Sequence, residues 1–172
     1  MSSIATVQQS DNARNVLTLD GARGATRYAV PVGRALFAAI FISSAFGHFS
    51  QPVIAMAAAQ GVPLANLAVP LSGILSLAGG LSVLLGYRAR AGALALIVFL
   101  VPVTLAMHPF WAVSDPMMHQ LHFVMFLKNL ALIGAALLIA FHGAGPLSLD
   151  ARVGARLLAS TGHRLTGCSR FD

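Results

Sequence analysis

The residues most able to do chemistry in this chain lie between positions 108 and 130, HPFWAVSDPMMHQLHFVMFLKNL. His108, His119 and His122 stand in or beside an apolar run, and Lys128 follows the last of them by six residues. An imidazole can relay protons near neutral pH, and an ammonium group can bind a carbonyl oxygen or an anion. Such groups are costly in lipid, so either helix packing or a bound ligand must hold them there.

The composition predicts that most of the chain lies in a membrane. Of its 172 residues, 57% are hydrophobic and 9% are charged, and Glu is absent. Soluble domains carry roughly 25% charged residues, so this chain cannot cover a water-facing surface. The net charge of +6 comes mostly from arginines near the termini and in one turn, a pattern of membrane orientation rather than of nucleic-acid binding.

Four apolar stretches are long enough to cross a bilayer, which needs ~20 apolar residues. Because backbone polar groups in lipid must be satisfied internally, we predict an all-α membrane protein, a four-helix transmembrane bundle. Small residues recur on the second helix (Ser72, Ser76 and Gly80) and on the fourth (Gly134, Ala135 and Ala136), which is typical of close helix packing. The predicted spans are about residues 32–49, 66–86, 91–107 and 121–141.

The segments around the spans are polar and basic. We predict a disordered polar tail at residues 1–30, the transmembrane domain at residues 31–143 and a basic cytoplasmic tail at residues 144–172. Within that last segment we predict a short helix on the membrane surface, with Asp150 as its N-cap.

The basic residues also predict the orientation. The loops at residues 50–65 and 109–119 contain no Lys or Arg, whereas the turn at residues 87–90 contains two. Cytoplasmic loops carry the excess of Lys and Arg, so both termini are predicted to be cytoplasmic in a bacterial inner membrane. The arginines that carry this prediction are Arg14, Arg23, Arg27, Arg34, Arg88, Arg90, Arg152, Arg156, Arg164 and Arg170.

This orientation gathers polar residues near the outer face. The first and third helices end at His48 and His108, and the fourth begins near His119 and His122. Lys128 lies about 9 Å deeper than His122, at a rise of ~1.5 Å per residue. The predicted ligand-binding residues are Lys128, Asn129, His122, His119, His108, His48, Ser76 and Trp111.

Four motifs connect the chain to a known family: FGHFSQP at residues 46–52, a Gly-Gly pair at 79–80, FLKNLAL at 126–132 and GPLSLD at 145–150. With them the chain resembles the DoxX family of small four-span bacterial membrane proteins, over about residues 33–150. The resemblance implies the four-helix fold. It also implies a link to quinone chemistry, since one member looks like a subunit of a thiosulfate:quinone oxidoreductase.

The chain departs from the family pattern at three positions. The family often has Lys where His48 stands, an acidic residue where Gln51 stands, and Glu where Ser76 stands. The resemblance therefore supports the fold more strongly than the chemistry.

Three interpretations of the polar residues stay open. In the first, Lys128 fixes helix packing by snorkelling or hydrogen bonding, as lysines inside spans can do. In the second, Lys128 and Asn129 hold a quinone oxygen while the histidines relay protons. In the third, His119 and His122 bind Zn²⁺ or Cu²⁺ together with another histidine. Because no HExxH motif is present and the predicted spans hold no carboxylate, we predict no metal site and no intrinsic cofactor, with a quinone as the candidate ligand.

Two functions follow from these interpretations. One is a membrane subunit of a quinone-linked redox system, with the electron donor on a separate soluble or membrane partner and no catalysis by this chain alone. The other is a non-catalytic membrane partner or small carrier whose polar residues fix helix packing. In both cases the bilayer is the first partner, a homo-oligomer is compatible with four spans, and nucleic acid is excluded.

Overall fold

The computed structural model describes residues 28–156, and this part of the chain is helical without any strand. The all-α prediction is thereby confirmed. Four helices are long and apolar enough to cross a membrane, beginning at Tyr28, Ala65, Ala89 and Pro116. The elements are α1 at residues 28–45, α2 Gln51–Ala59, α3 Ala65–Leu85, α4 Ala89–Met107, α5 Pro116–His142 and α6 at residues 149–156, with 3₁₀ turns at Phe46–Phe49 and Phe110–Ala112.

Two helices extend beyond the predicted spans. Residues 28–30, which we predicted to belong to the polar tail, are already helical. The fourth span begins at Pro116 instead of residue 121, because Asp115 caps it: its Oδ1 accepts a hydrogen bond of 2.8 Å from the backbone N–H of Met118. A carboxylate at this position satisfies a backbone N–H of the first helical turn. A hydropathy profile does not detect such a cap, so it places the start of the helix too late.

Some predictions lie outside the described residues. They are the disorder of residues 1–27, the course of residues 157–172 and the places of Arg14, Arg23, Arg27, Arg164 and Arg170.

The first span ends at residue 49, as predicted, but the short helix α2 that follows it was not predicted. After α1 the chain passes through Phe46–Phe49, and Ser50 is extended with φ −88° and ψ 138°. The helix α2 then packs Ile54 and Ala57 against Ala65 and Val69 near the start of α3. His48 lies beside Gly73, which is about 12 Å along α3 from its first residue. Because His48 lies this far from the start of α3, only α2 extends the chain to the end of the bundle at which α3 begins.

One apolar core joins the four long helices. The small-residue stripe on α3 faces α1, where the hydroxyl of Ser76 donates to the carbonyl oxygen of Phe41 at 3.2 Å. On α5 the predicted packing of small residues holds for Ala136, which is fully buried, but it is wrong for Gly134, because a Cβ there would meet nothing within 4 Å. The buried core residues are Phe37 and Phe41 of α1, Val83 of α3, Ala93, Leu96, Phe99 and Leu100 of α4, and Ala136 of α5.

The start of α1 and the chain after α5 meet at one end of the bundle, which we call the arginine end. Arg34 is 6% exposed, and its two terminal nitrogens donate to the carbonyl oxygens of Ala144 and Leu147, each at 2.7 Å. These carbonyls belong to residues 143–150, the closing strap, whose Gly145 lies against Val30. The opposite end, where α3 begins and α4 ends, is the histidine end.

The closing strap also caps two helices, and one prediction is wrong here. The hydroxyl oxygen of Ser148 accepts from the N–H of Ala151 at 3.1 Å, so Ser148 is the residue that caps α6. Asp150 instead caps α4, because its carboxylate accepts from the N–H groups of Arg88 at 2.7 Å and Ala89 at 3.2 Å. From the sequence, Asp150 is close to the start of α6, so it is the natural choice of cap there. The sequence does not show that the first turn of α4 lies beside Asp150 in the folded chain.

Candidate functional site

The histidine end contains two separate groups of imidazoles. His108, His119 and His122 lie where α4 ends and α5 begins, whereas His48 packs edge-to-face on Phe99 with ring centroids 5.6 Å apart. Among the described residues, no group of three or more His, Cys, Asp or Glu side chains is placed to hold a metal ion. The histidines predicted together at the outer face are thus not all neighbours.

An aromatic cluster accounts for His119 and Trp111. The ring of Phe110 lies at the centre, with centroids 5.1 Å from Trp111 and 5.7 Å from His119. It also contacts Phe123 at 5.2 Å and Phe126 at 5.3 Å. These edge-to-face contacts hold the 3₁₀ turn Phe110–Ala112 against α5. His119 and Trp111 therefore have a packing role in this structure.

His108 and His122 form the remaining pair on this side. Their rings are 5.8 Å apart and nearly perpendicular. The Nδ1 of His122 is buried and has no hydrogen-bond partner in the described part of the chain. This pair is the part of the predicted outer site that the structure does bring together.

Lys128 and Asn129 point in different directions. Asn129 is 4% exposed and faces the bundle, but Lys128 is exposed near the middle of α5. We predicted that both would line one inward surface, and the structure separates them because successive helical residues differ by about 100°. Ser76 does not join Lys128 or Asn129 in one polar surface, because its hydroxyl donates a hydrogen bond to a carbonyl oxygen of α1.

Replacing Lys128 by methionine is expected to leave the midpoint of thermal unfolding in detergent unchanged or slightly raised. An exposed cation in mid-span gains nothing from the bundle and is costly in lipid, so methionine suits that surface better. Asn129→Leu is the matched comparison on the same helix, and we expect a lower midpoint because the larger leucine does not fit a site that is only 4% exposed. A fall of several degrees for Lys128→Met would show that Lys128 is packed by something, such as a second copy of the chain.

A cavity lies on the other side of the histidine end, between α2, α3 and α4. Its volume is about 350 Å³, and its walls are almost entirely apolar. His48 lines it at the end of the first span, so we call it the His48 cleft. The other lining residues are Val53, Ala57, Val62, Ala68, Val69, Leu71, Ser72, Leu75, Val98, Phe99, Pro102, Val103, Ala106 and Met107.

The position of His48 is fixed by its neighbours. Its Nδ1 lies 3.1 Å from the carbonyl oxygen of Ser44, one turn earlier. Since a carbonyl oxygen only accepts hydrogen bonds, Nδ1 carries the proton and Nε2 of the neutral ring is an acceptor. A Cβ added at Gly73 would lie 2.7 Å from the Cβ of His48, so the absence of a side chain at Gly73 makes room for the histidine.

The polar groups of the cleft share one property, which is that they accept hydrogen bonds. Ser72 donates its hydroxyl proton to the carbonyl oxygen of Val69 at 2.7 Å, which leaves its oxygen as an acceptor. Pro102 has no N–H for the carbonyl oxygen of Val98, the residue four positions earlier, which also lines the cleft. Together with Nε2 of His48, these oxygens suit an apolar molecule that donates a hydrogen bond.

Sequence reasoning found His48 but missed this site. Ser72, Pro102 and Val98 gave no chemical signal of their own. The motif FGHFSQP at residues 46–52 held a signal, because Ser50-Gln51-Pro52 is a helix start directly after the first span. Pro at the first turn of a helix is favoured, so α2 could have been predicted from it.

Comparisons with known proteins place the chain among inner membrane proteins. The model of the SURF4 family matches residues 53–153. This range begins after His48 and includes all the other residues that line the cleft. The chain is 28% identical over 121 residues to inner membrane protein YqjF of Escherichia coli (strain K12), covering 70% of this chain and 88% of YqjF. It is 27% identical over 95 residues to inner membrane protein YphA of the same organism, covering 55% of this chain and 67% of YphA. No solved structure matches.

Proposed function

This chain belongs to the SURF4 family, and from that premise we propose that it is an integral inner-membrane protein whose His48 cleft binds a lipophilic molecule with a hydroxyl donor. The observation that carries the proposal is an apolar cavity of about 350 Å³ whose polar groups are hydrogen-bond acceptors. Ligand sites of this kind are largely apolar, with a few polar groups that fix orientation.

A quinol is the ligand class that this proposal favours. The hydroxyl of a hydroquinone can donate to Nε2 of neutral His48, whereas the carbonyl oxygen of the oxidised quinone offers only an acceptor. Lys128 and Asn129 do not line the cleft, so the proposed hydrogen-bonding role moves from them to His48. In a quinone-linked redox system, the group that exchanges electrons with the ligand would belong to a partner protein.

The proposed orientation keeps both termini in the cytoplasm. It is supported by four arginines near the arginine end. Arg34 belongs to α1, Arg88 and Arg90 to the N-cap and first turn of α4, and Arg152 to α6. The His48 cleft then opens in the outer half of the bilayer. The DoxX resemblance remains part of this proposal, carried by FLKNLAL and GPLSLD.

The test is the thermal unfolding of the purified protein in detergent, with a short-chain benzoquinol kept reduced under nitrogen and with its oxidised benzoquinone. We expect the quinol to raise the unfolding midpoint by several degrees and the quinone to raise it less. A ligand at 100 times its Kd stabilises by about 2.7 kcal/mol, which is measurable. His48→Leu should abolish the difference between the two ligands.

Two variants make this test specific. His119→Leu is the matched control, because His119 packs on Phe110 outside the cleft, and it should keep the full response. Ala106→Phe fills the cleft without touching a polar group, and it should remove the response to both ligands. If His48→Leu responds to the quinol as the unsubstituted protein does, His48 is not the group that binds it.

The second candidate function is a non-catalytic membrane partner or small carrier. It is favoured by the number of polar side chains that hydrogen-bond to backbone carbonyls: Ser76 to Phe41, Thr104 to Leu100, and Arg34 to the closing strap. Under this function neither benzoquinol nor benzoquinone stabilises the protein at any concentration, and Ser76→Val lowers the unfolding midpoint all the same.

A further inference from the structure

The arginine end contains a second cavity, which lies between the start of α4 and the closing strap. Its volume is about 470 Å³, and we call it the arginine pocket. Two guanidinium groups, of Arg88 and Arg90, stand on its wall. The other lining residues are Ala91, Gly143, Ala144, Gly145, Ser148, Asp150 and Ala151.

The acidic residue of the pocket is already engaged. Both carboxylate oxygens of Asp150 accept backbone N–H groups, those of Arg88 and Ala89, at the first turn of α4. The positive end of the α4 dipole therefore offsets much of its charge. By contrast, the exposed side chains of Arg88 and Arg90 make no hydrogen bond or ion pair with any residue between 28 and 156.

The position of Arg90 is explained in part by its contact with the end of α5. Its guanidinium lies near Gly143, with Nε 3.4 Å from where a Cβ at that position would be. A cation beside the last turn of α5 is favourable because the helix dipole is negative there. This contact positions Arg90 but gives its N–H donors no acceptor. The guanidinium of Arg88 likewise has no acceptor among residues 28–156.

The surface around the pocket is apolar. Leu94 lies one turn beyond Ala91 on α4 and is 54% exposed, and Phe141, just before the pocket on α5, is 79% exposed. Two guanidinium groups that line one pocket can bind a phosphate, while exposed apolar side chains on the same helices can contact acyl chains. Basic pockets between membrane helices bind lipid head groups in this way.

We propose that the arginine pocket binds the phosphate group of an anionic phospholipid, with Arg88 and Arg90 as donors and the Leu94–Phe141 surface against the acyl chains. This site is independent of the His48 cleft, which lies at the other end of the bundle. It holds for either orientation in the membrane, since phospholipids occur in both leaflets.

Native mass spectrometry of the full chain tests the proposal, with phosphatidylglycerol or phosphatidylcholine of the same acyl chains added in detergent. We expect the protein to retain phosphatidylglycerol at least 10-fold more than phosphatidylcholine. Arg88→Gln with Arg90→Gln should remove this preference. The matched control is Arg152→Gln with Arg156→Gln, which removes the same charge outside the pocket and should keep the preference.

Each other outcome overturns the proposal or a stated part of it. Equal retention by the protein with and without the Arg88 and Arg90 substitutions would overturn the site. An equal loss in the Arg152 and Arg156 control would show that only the overall charge matters. Displacement of the lipid by inorganic phosphate at millimolar concentration would keep the anion site but overturn its assignment to a lipid. A thermal unfolding midpoint equal to that of the unsubstituted protein confirms that the double variant is folded.

Discussion

Replacing Arg34 by methionine is expected to lower the free energy of unfolding by roughly 3 kcal/mol or more. The side chain is 6% exposed, and it donates two hydrogen bonds of 2.7 Å to Ala144 and Leu147. A hydrogen bond to a charged group contributes about 1.5 to 3 kcal/mol, and two are lost together. Methionine fills a similar volume but leaves both carbonyl oxygens without a donor. The measurement is the midpoint of thermal or denaturant unfolding of the purified protein.

Two further variants identify the cause of this loss. Arg34→Lys keeps the positive charge but has one nitrogen for two acceptors, so we expect about half of the effect. Arg156→Met removes an exposed arginine and should change the midpoint by less than a degree or two. If Arg34→Met unfolds at the same midpoint as the unsubstituted protein, the closing strap is held by other contacts, such as the capping of α4 by Asp150.

The role of Arg34 shows where sequence reasoning stops. Its position before an apolar run marks orientation, and the sequence predicted only that. Its acceptors lie 110 and 113 residues later, in a segment whose shape depends on Gly143 and Gly145, both at positive φ. Sequence patterns describe local structure well, but they do not show which distant carbonyl an arginine will meet. The same reason explains why Asp150 was assigned to α6 when it caps α4.

The long helices were predictable because hydropathy over about 20 residues depends on lipid and not on neighbours. Their ends were less so, since α5 begins at Pro116 through a single cap on Asp115. The helix α2 was missed because hydropathy over about 20 residues does not detect a helix of nine residues.

The candidate site was predictable in its residue types but not in its grouping. The sequence indicated that histidines gather at one end, and His108 and His122 do meet there. It did not show that His48 lies on the other side of α4, or that Lys128 faces outward. Both depend on helix rotation, which a nearly uniform apolar composition leaves undetermined. In a soluble helix the polar face would indicate the rotation, but here both faces are apolar.

A close approach between α3 and α4 leads to the second large effect. At Gly79 on α3, an added Cβ would lie 2.8 Å from the side chain of Leu96 and 3.1 Å from the backbone oxygen of Gly92 on α4. Gly79→Val is therefore expected to force the helices apart and to lower the free energy of unfolding by about 3 kcal/mol. The measurement is the unfolding midpoint together with the fraction of protein that elutes as a single species in size-exclusion chromatography.

Gly134→Val is the matched control for this prediction. A Cβ at Gly134 would meet nothing within 4 Å, so the same substitution on α5 should leave the midpoint almost unchanged. Equal losses at both positions would mean that valine acts through helix propensity and not through contact with α4.

A double variant distinguishes side-chain crowding from backbone crowding. Leu96 is fully buried, so Leu96→Ala alone leaves a cavity and should cost about 2 to 5 kcal/mol. If the clash of Gly79→Val is with the Leu96 side chain, the combined variant recovers part of both losses and is more stable than their sum predicts. If the clash is with the backbone oxygen of Gly92, the losses add, because removing Leu96 does not move that oxygen. We expect partial recovery, since 2.8 Å to Leu96 is the shorter contact and the backbone contact at 3.1 Å persists.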